Sequence, residues 1–233
     1  MGKVVGIVSK HAFANSWTNG RALTIVNDEV KQAVIDAGLV PIGILPPKWE
    51  ICLNQNIKHN ESHLTEEELE VLEWQLSICD GIILPGGGNS DDFEYDVARY
   101  AYENDVPILG ICHGQGVMVQ ILGGKITKVD EEKHKQPDIE YVHGCRVVGG
   151  TKFCQFVGTH CLMVNSRHKY AVSDPGPDLM VSAIDEDGNI EVIEARDKSF
   201  YVGVRFHPES LYKKDLRMAS IFRNFAQVVE ERP

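Results

Sequence analysis

Val106-Pro107-Ile108-Leu109-Gly110-Ile111-Cys112-His113-Gly114 is the stretch on which the fold of this chain turns. Up to Ile111 it is almost wholly apolar, as a strand is when both faces of its sheet are covered. It then bends: Gly110 and Gly114 flank Cys112, and residues from His113 to about Leu122 carry apolar side chains at helical spacing. A buried strand that delivers a cysteine to a tight glycine turn and runs at once into a helix has the layout of a nucleophile elbow. A thiol at that helix N-terminus feels the positive end of the dipole, which lowers its pKa from about 8.5. In open α/β sheets ligands bind at the carboxyl ends of strands. The same letters also describe a small apolar residue closing a strand, so the motif has to be weighed with its surroundings.

Outward from the elbow, the first half alternates strands and helices. Val4–Ser9 is a short β-rich run, and Val26–Gly38 carries apolar residues every three or four positions and stops at a glycine suited to a left-handed cap. Val40–Leu45 reads as a strand. Thr65-Glu66-Glu67-Glu68 is a capping box ahead of Leu69, Leu72 and Leu76. Gly81–Leu84 is an apolar strand ending in Pro85-Gly86-Gly87-Gly88, and Asp91 and Asp92 open a helix to about Asn104. Such alternation implies a mostly parallel central sheet with helices on both faces. From about Tyr141 to Ala195 the pattern changes to consecutive strands, with Asp187-Gly188 as a hairpin signal. These strands predict a smaller β-rich segment; the run Phe200–Phe206 and a helix over Leu216–Val229 close the chain. No linker or repeat interrupts it, so residues 1–233 are expected to form one domain.

A second group of chemistry-bearing residues is Arg205-Phe206-His207-Pro208-Glu209. Residues two apart in a strand-like segment point to one side, so His207 and Glu209 can serve one site. An imidazole able to take a thiol proton, beside a carboxylate able to orient it, follows triad logic. Alone, His-Pro-Glu is more often a turn. The third group, Pro85-Gly86-Gly87-Gly88, offers backbone N–H groups for a developing oxyanion; it lacks the Lys-Ser/Thr of a phosphate loop.

The composition excludes other classes of function. The net charge of −11 over 233 residues would repel phosphate backbones and anionic lipid, so neither nucleic acid nor membrane is an expected partner. No run approaches the roughly 20 apolar residues of a membrane span, and the start of the chain has no signal-peptide layout. A cytoplasmic location is expected. Six cysteines fit a reducing compartment, all but Cys112 as buried thiols; Cys145, Cys154, Cys161 and His160 match no zinc spacing, and no metal or cofactor is expected.

Taken together, the chain resembles the class I glutamine amidotransferases, whose fold is flavodoxin-like, and within them the γ-glutamyl hydrolase branch that includes γ-glutamyl-γ-aminobutyrate hydrolases. The resemblance runs from Val26-Asn27-Asp28 and Ala37-Gly38-Leu39-Val40-Pro41 through Cys79–Gly87, the elbow and Leu122-Gly123-Gly124. It goes on through Val164-Asn165-Ser166-Arg167-His168 and Asp187–Glu194 to Val202–Glu209. It implies Cys112 as nucleophile, His207 as base and then acid, and Glu209 as its orienting partner. It implies Gly87 and His113 as oxyanion-hole donors, and Asn165, Ser166 and His168 as holders of the amino-acid head group, with the Asn89–Asp92 stretch as the next place to look. The family carries Gln or Glu where this chain has Gly116, with Gln115 one position early, and Gln where it has Tyr170.

The activity implied is hydrolysis of a γ-glutamyl amide through a γ-glutamyl thioester, with a small-molecule γ-glutamyl substrate. The alternative is a glutaminase subunit that passes ammonia to a partner synthetase. A relative with a Cys-His-Gly elbow and different chemistry lacks the His-Pro-Glu pattern, and a binding module would not need it. Leaving group and homo-oligomerisation are open at this stage.

Overall fold

A computed structural model describes residues 2–12, 23–47, 62, 64–87 and 92–233. Gly88, Asn89 and Asp91, singled out above, lie outside the described residues, as does Cys52. In chain order the first half forms β1 (Val4–Val8), β2 (Lys10–Ala12), β3 (Leu23–Ile25), α1 (Asp28–Asp36), β4 (Val40–Ile44), α2 (Glu66–Ser77), β5 (Gly81–Leu84), α3 (Phe93–Glu103), β6 (Ile108–Ile111) and α4 (His113–Ile121). The second half adds β7 (Lys125–Lys128), α5 (Glu131–His134), β8 (His143–Val147), α6 (Lys152–Val157), β9 (Cys161–Val164), β10 (Tyr170–Asp174), β11 (Met180–Asp185), β12 (Ile190–Glu194), β13 (Tyr201–Val204) and α7 (Leu216–Glu231).

Local chemistry sets the helix starts. Asn27 accepts from the N–H groups of Glu29 and Val30, Thr65 and Glu68 form the expected capping box, and Asp215 accepts from Arg217. Helix α1 ends ahead of Gly38, whose φ of +87° is the left-handed cap the sequence anticipates.

The sheet order is β4-β1-β5-β6-β13-β12-β11-β8-β9, with β10 against β12 and β7 against β10. Pairing is parallel from β4 to β13 and antiparallel beyond. The β-rich segment is therefore not a separate layer; it extends the parallel core into one eleven-stranded sheet.

Alternate residues feed opposite faces. Val5, Ile7, Ile83, Leu109, Ile111, Val202 and Val204 pack with α1, α6 and α7 on one side. Val8, Ile82, Leu84, Ile108, Ile193 and Tyr201 pack with α2, α3 and α4 on the other. This period of two across strands that are buried throughout explains their unbroken apolar runs.

The outer strands are finished differently. On β4, Pro41 stands opposite Val5 in register. On β9, the Thr159 hydroxyl bonds both the N–H and the carbonyl of Cys161. Against the expectation of buried thiols, Cys161 is exposed because β9 is an outer strand, and Cys154 on α6 is only half-buried; Cys79 and Cys145 are buried. Among the described residues no helix is long and apolar enough to cross a membrane.

Candidate active site

Strand β6 leads into Cys112 at φ +51°, ψ −100°, a backbone state that L-residues seldom adopt. Pairing and packing on both sides hold it there. The Cys112 N–H donates to the Val204 carbonyl at 2.8 Å, and Arg205 Nη1 donates to the Cys112 carbonyl at 2.9 Å. Gly114 follows so closely on β5 that a Cβ there would lie 2.2 Å from the Leu84 carbonyl oxygen. The elbow thus needs glycine at that place for contact rather than for dihedral freedom.

Strand β5 is the parallel neighbour of β6, so the turn Pro85-Gly86-Gly87 lies beside the elbow. A Cβ on Gly86 would sit 2.6 Å from His207 Cε1 and 3.3 Å from Cys112 Cβ, which places both side chains over that turn. Gly87 has φ +141° and rests on the stem of Lys10. Behind it Lys10 pairs with buried Glu94 at 2.5 Å, and His113 Nε2 approaches the same carboxylate at 3.6 Å.

On the other flank, β13 pairs with β6 through Val204 and Ile111, so the chain leaving β13 arrives at the elbow. Pro208 starts a single 3-10 turn, Pro208–Ser210, which folds Glu209 back onto His207. His207 Nδ1 and Glu209 Oε1 are 2.7 Å apart, and Glu209 is buried. With Nδ1 engaged, the other ring nitrogen is the one left to exchange a proton with the neighbouring Cys112 thiol. Burial works against charge on both groups. For Cys112, the hydrogen bond and charge of His207, then Arg205, outweigh that burial and hold the thiol below its ordinary range. For His207, burial is outweighed by Glu209 and Cys112, which push the imidazole up. The two titrate as a pair that favours thiolate and imidazolium.

The three residues expected to hold a head group have other employment. The Asn165 side chain accepts from the His207 N–H at 2.7 Å and donates to the His207 carbonyl at 2.8 Å, fixing the loop that carries the imidazole. The Ser166 hydroxyl donates to the His134 carbonyl at 2.8 Å and is 3.0 Å from His168 Nε2. Burial, then the charge of Arg205, lowers the His168 pKa to about 3, so a neutral ring sits there, ill-suited to a carboxylate. All three are buried. The physical reason is that a turn at a strand end can aim its side chains inward as readily as outward.

Two residues to which the sequence assigns no role support the elbow directly. Arg205 is buried and props the Cys112 carbonyl; its signal was a charge inside the apolar run Val202–Phe206. Gln115, fully buried, donates to the carbonyls of Glu191 and Gly203 and so ties α4 to β12 and β13. The family's side chain at Gly116 would point toward Arg205, whose Nη2 is 3.8 Å from an added Cβ.

The chain is 29% identical over 204 residues to a glutamine amidotransferase-like protein of Rickettsia prowazekii, covering 58% of this chain and 72% of that one. It is 30% identical to the CTP synthase of Carboxydothermus hydrogenoformans, covering 73% of this chain but 37% of the synthase. It is 33% identical to a glutamine-hydrolysing GMP synthase of Streptococcus pneumoniae, covering 63% of this chain and 27% of the synthase. This chain thus spans well under half of either synthase. In fold it is similar to the glutaminase domain of a Trypanosoma brucei CTPS solved with acivicin bound, at a TM-score of 0.66, 15% identity and 99% coverage of this chain. The same TM-score relates it to a GMP synthase subunit from Thermoplasma acidophilum at 16% identity, again with 99% of this chain covered. Residues 88–209, just over half the chain and including Cys112, His207 and Glu209, match Peptidase C26, so the chain belongs to that family of glutamine amidotransferase-like hydrolytic enzymes.

Proposed function

We propose that this chain is a glutaminase that hydrolyses the side-chain amide of glutamine through a γ-glutamyl thioester on Cys112 and passes the ammonia to a partner synthetase. The observation that carries the chemistry is the meeting of sulfur, imidazole and carboxylate: Cys112 and His207 lie side by side over the Gly86 turn, with Glu209 Oε1 2.7 Å from His207 Nδ1. The choice of glutamine rests on the relatives, which include CTP synthases and glutamine-hydrolysing GMP synthases.

In this reading the Cys112 thiolate attacks the amide carbon, and the carbonyl electrons move to oxygen. The N–H groups of Gly87 and His113 receive that oxyanion; each such donor is worth about 3–4 kcal/mol in the transition state. Imidazolium His207 gives its proton to the leaving nitrogen, the C–N bond breaks, and ammonia departs. Water then attacks the thioester while His207 takes its proton; the C–S bond breaks, glutamate leaves and the thiolate returns. Glu209 keeps the imidazole in one tautomer, and Arg205 helps hold the sulfur negative.

The test is to incubate purified protein with glutamine and with N-substituted γ-glutamyl amides, following released amine and the intact mass of the chain. Glutamine turnover with a γ-glutamyl adduct that vanishes in Cys112→Ala is the expected result. Faster release of substituted amines than of ammonia would instead assign a self-standing γ-glutamyl hydrolase. Turnover that survives Cys112→Ala would refute both.

A further inference from the structure

Away from the sulfur, three imidazoles and one carboxylate converge: His134 at the end of α5, His143 at the start of β8, His168 ahead of β10 and Glu191 on β12. One donor atom from each lies within 4.8 Å of all the others. Glu191 Oε1 is 3.6 Å from His168 Nε2 and 4.0 Å from His143 Nε2. The side chains of His134, His168 and Glu191 are at most 4% exposed, and that of His143 15%.

Ordinary hydrogen bonding does not account for this group. Both Glu191 oxygens, His143 Nε2 and His134 Nδ1 are buried without a hydrogen-bond partner. A buried carboxylate with neither oxygen satisfied is an expensive arrangement unless a cation shares the space. On the far side of His134, Asp185 Oδ2 approaches Nε2 at 3.6 Å and Asn189 Nδ2 at 3.3 Å, leaving Nδ1 to face elsewhere. A carboxylate behind a histidine is the usual outer support of a metal ligand. Against the one positive charge of Arg205 stand two carboxylates, Glu191 and Asp185.

We propose that His134, His143, His168 and Glu191 form a structural site for a first-row divalent cation, zinc by the character of its donors. Three neutral imidazoles and a carboxylate make a four-coordinate nitrogen and oxygen set, and a site whose four positions are all filled by protein donors is structural rather than catalytic. Tetrahedral bonds of about 2.0–2.1 Å put donors roughly 3.3 Å apart, so the group closes by small side-chain rotations. On loading, the proton of the neutral His168 ring moves from Nε2 to Nδ1, so that Nε2 offers its lone pair to the ion. The ion would tie α5, β8, the loop ahead of β10 and β12 into one clasp. That clasp borders the reacting groups twice: Asn165, three residues before His168, holds the His207 backbone, and the Arg205 N–H donates to the Glu191 carbonyl at 2.7 Å.

The experiment uses untagged full-length protein stripped with a chelator and re-dialysed with one equivalent of zinc or cobalt(II). Metal is quantified by mass spectrometry, and its effect is read in the melting temperature and the cobalt visible spectrum. Expected are one tightly held equivalent per chain, a rise in melting temperature reversed by chelator, and the intense absorption of four-coordinate cobalt. His143→Gln and His134→Gln should each lose the equivalent, whereas Cys112→Ser and the double variant Cys154→Ser/Cys161→Ser should keep it. Retention in both histidine variants, or loss in either cysteine variant, would place the ion elsewhere and overturn the proposal. So would wild-type protein that takes up no stoichiometric metal and melts unchanged; the cluster would then be a buried network with a protonated Glu191. None of these readouts depends on turnover, so the outcome is separate from that of the glutaminase assay.

Discussion

At the scale of single residues, the state of Cys112 is the most consequential feature. Burial alone would raise its pKa, yet the hydrogen bond and charge of His207, with Arg205, bring it below the ordinary range. The sign is direct: a depressed thiol stays deprotonated at neutral pH and takes up a proton only as pH falls below its own lowered value. Iodoacetamide at pH 6 to 7 should therefore modify Cys112 first, roughly tenfold or more faster than a peptide thiol, of which only a few per cent is thiolate at pH 7. Cys79, buried and pushed up to about 11, should stay unmodified. Peptide mapping against pH checks this; a Cys112 rate that climbs only through pH 8 to 9, like a free thiol, would contradict the pair. That Cys112, His207 and Glu209 meet in one place was legible because their cues are local: glycines beside a strand end, and a His-Pro-Glu step two residues wide. The bonds of Asn165 to the His207 backbone were not legible, since sequence does not tell whether a turn side chain faces a ligand or a neighbouring backbone. The cluster of His134, His143, His168 and Glu191 was not legible at all. Its members come from four segments that meet only when β8 and β12 join the sheet through β11.

At the scale of elements, two glycines of α4 make opposite demands. Gly114 touches the Leu84 backbone, and a methyl group there has nowhere to go. Gly116, half a turn further on, is buried in helix, with 3.8 Å as the nearest approach to an added Cβ and an ordinary helical φ. Gly114→Ala should cost several kcal/mol or prevent folding, as overpacking against backbone does, while Gly116→Ala should gain up to about 1 kcal/mol from lost unfolded-state freedom. Urea denaturation of both variants is the measurement; equal effects would mean that the β5–α4 contact is looser than described. The alternating strands and helices of the first half were readable because each buried strand is a continuous apolar run. Strands β7 and β10 were not, because Lys125-Ile126-Thr127-Lys128 has a single large apolar residue and Tyr170 is exposed. The short helices α5 and α6 owe their starts to caps, Asp130 and Thr151, rather than to any periodicity long enough to detect.

At the scale of the whole molecule, the antiparallel strands share their core with the parallel ones. Val5 and Ile83 from the parallel side lie in the same cluster as Cys145, Val147, Leu162 and Ala183 from the antiparallel side. We accordingly propose that the chain unfolds as one unit. Far-UV circular dichroism and hydrogen exchange in residues 125–195 should report the same urea midpoint; earlier loss of the β7–β12 region would divide the chain in two. The sequence suggested a smaller β-rich segment, and what it could not convey is register, because pairings such as β13 with β6 and β10 with β7 join residues far apart in the chain. The ends of the sheet carry a consequence for how copies of this protein meet. In β4 the Val40 N–H turns inward to the Lys3 carbonyl, so position 41 faces outward, where proline has no donor to offer. In β9 the outward N–H and carbonyl of Cys161 are taken by Thr159, and β7 presents exposed Lys125 and Lys128. Each end is closed by a different device to the growth of a continuous intermolecular sheet. Native molecules are therefore not expected to join end to end through this sheet.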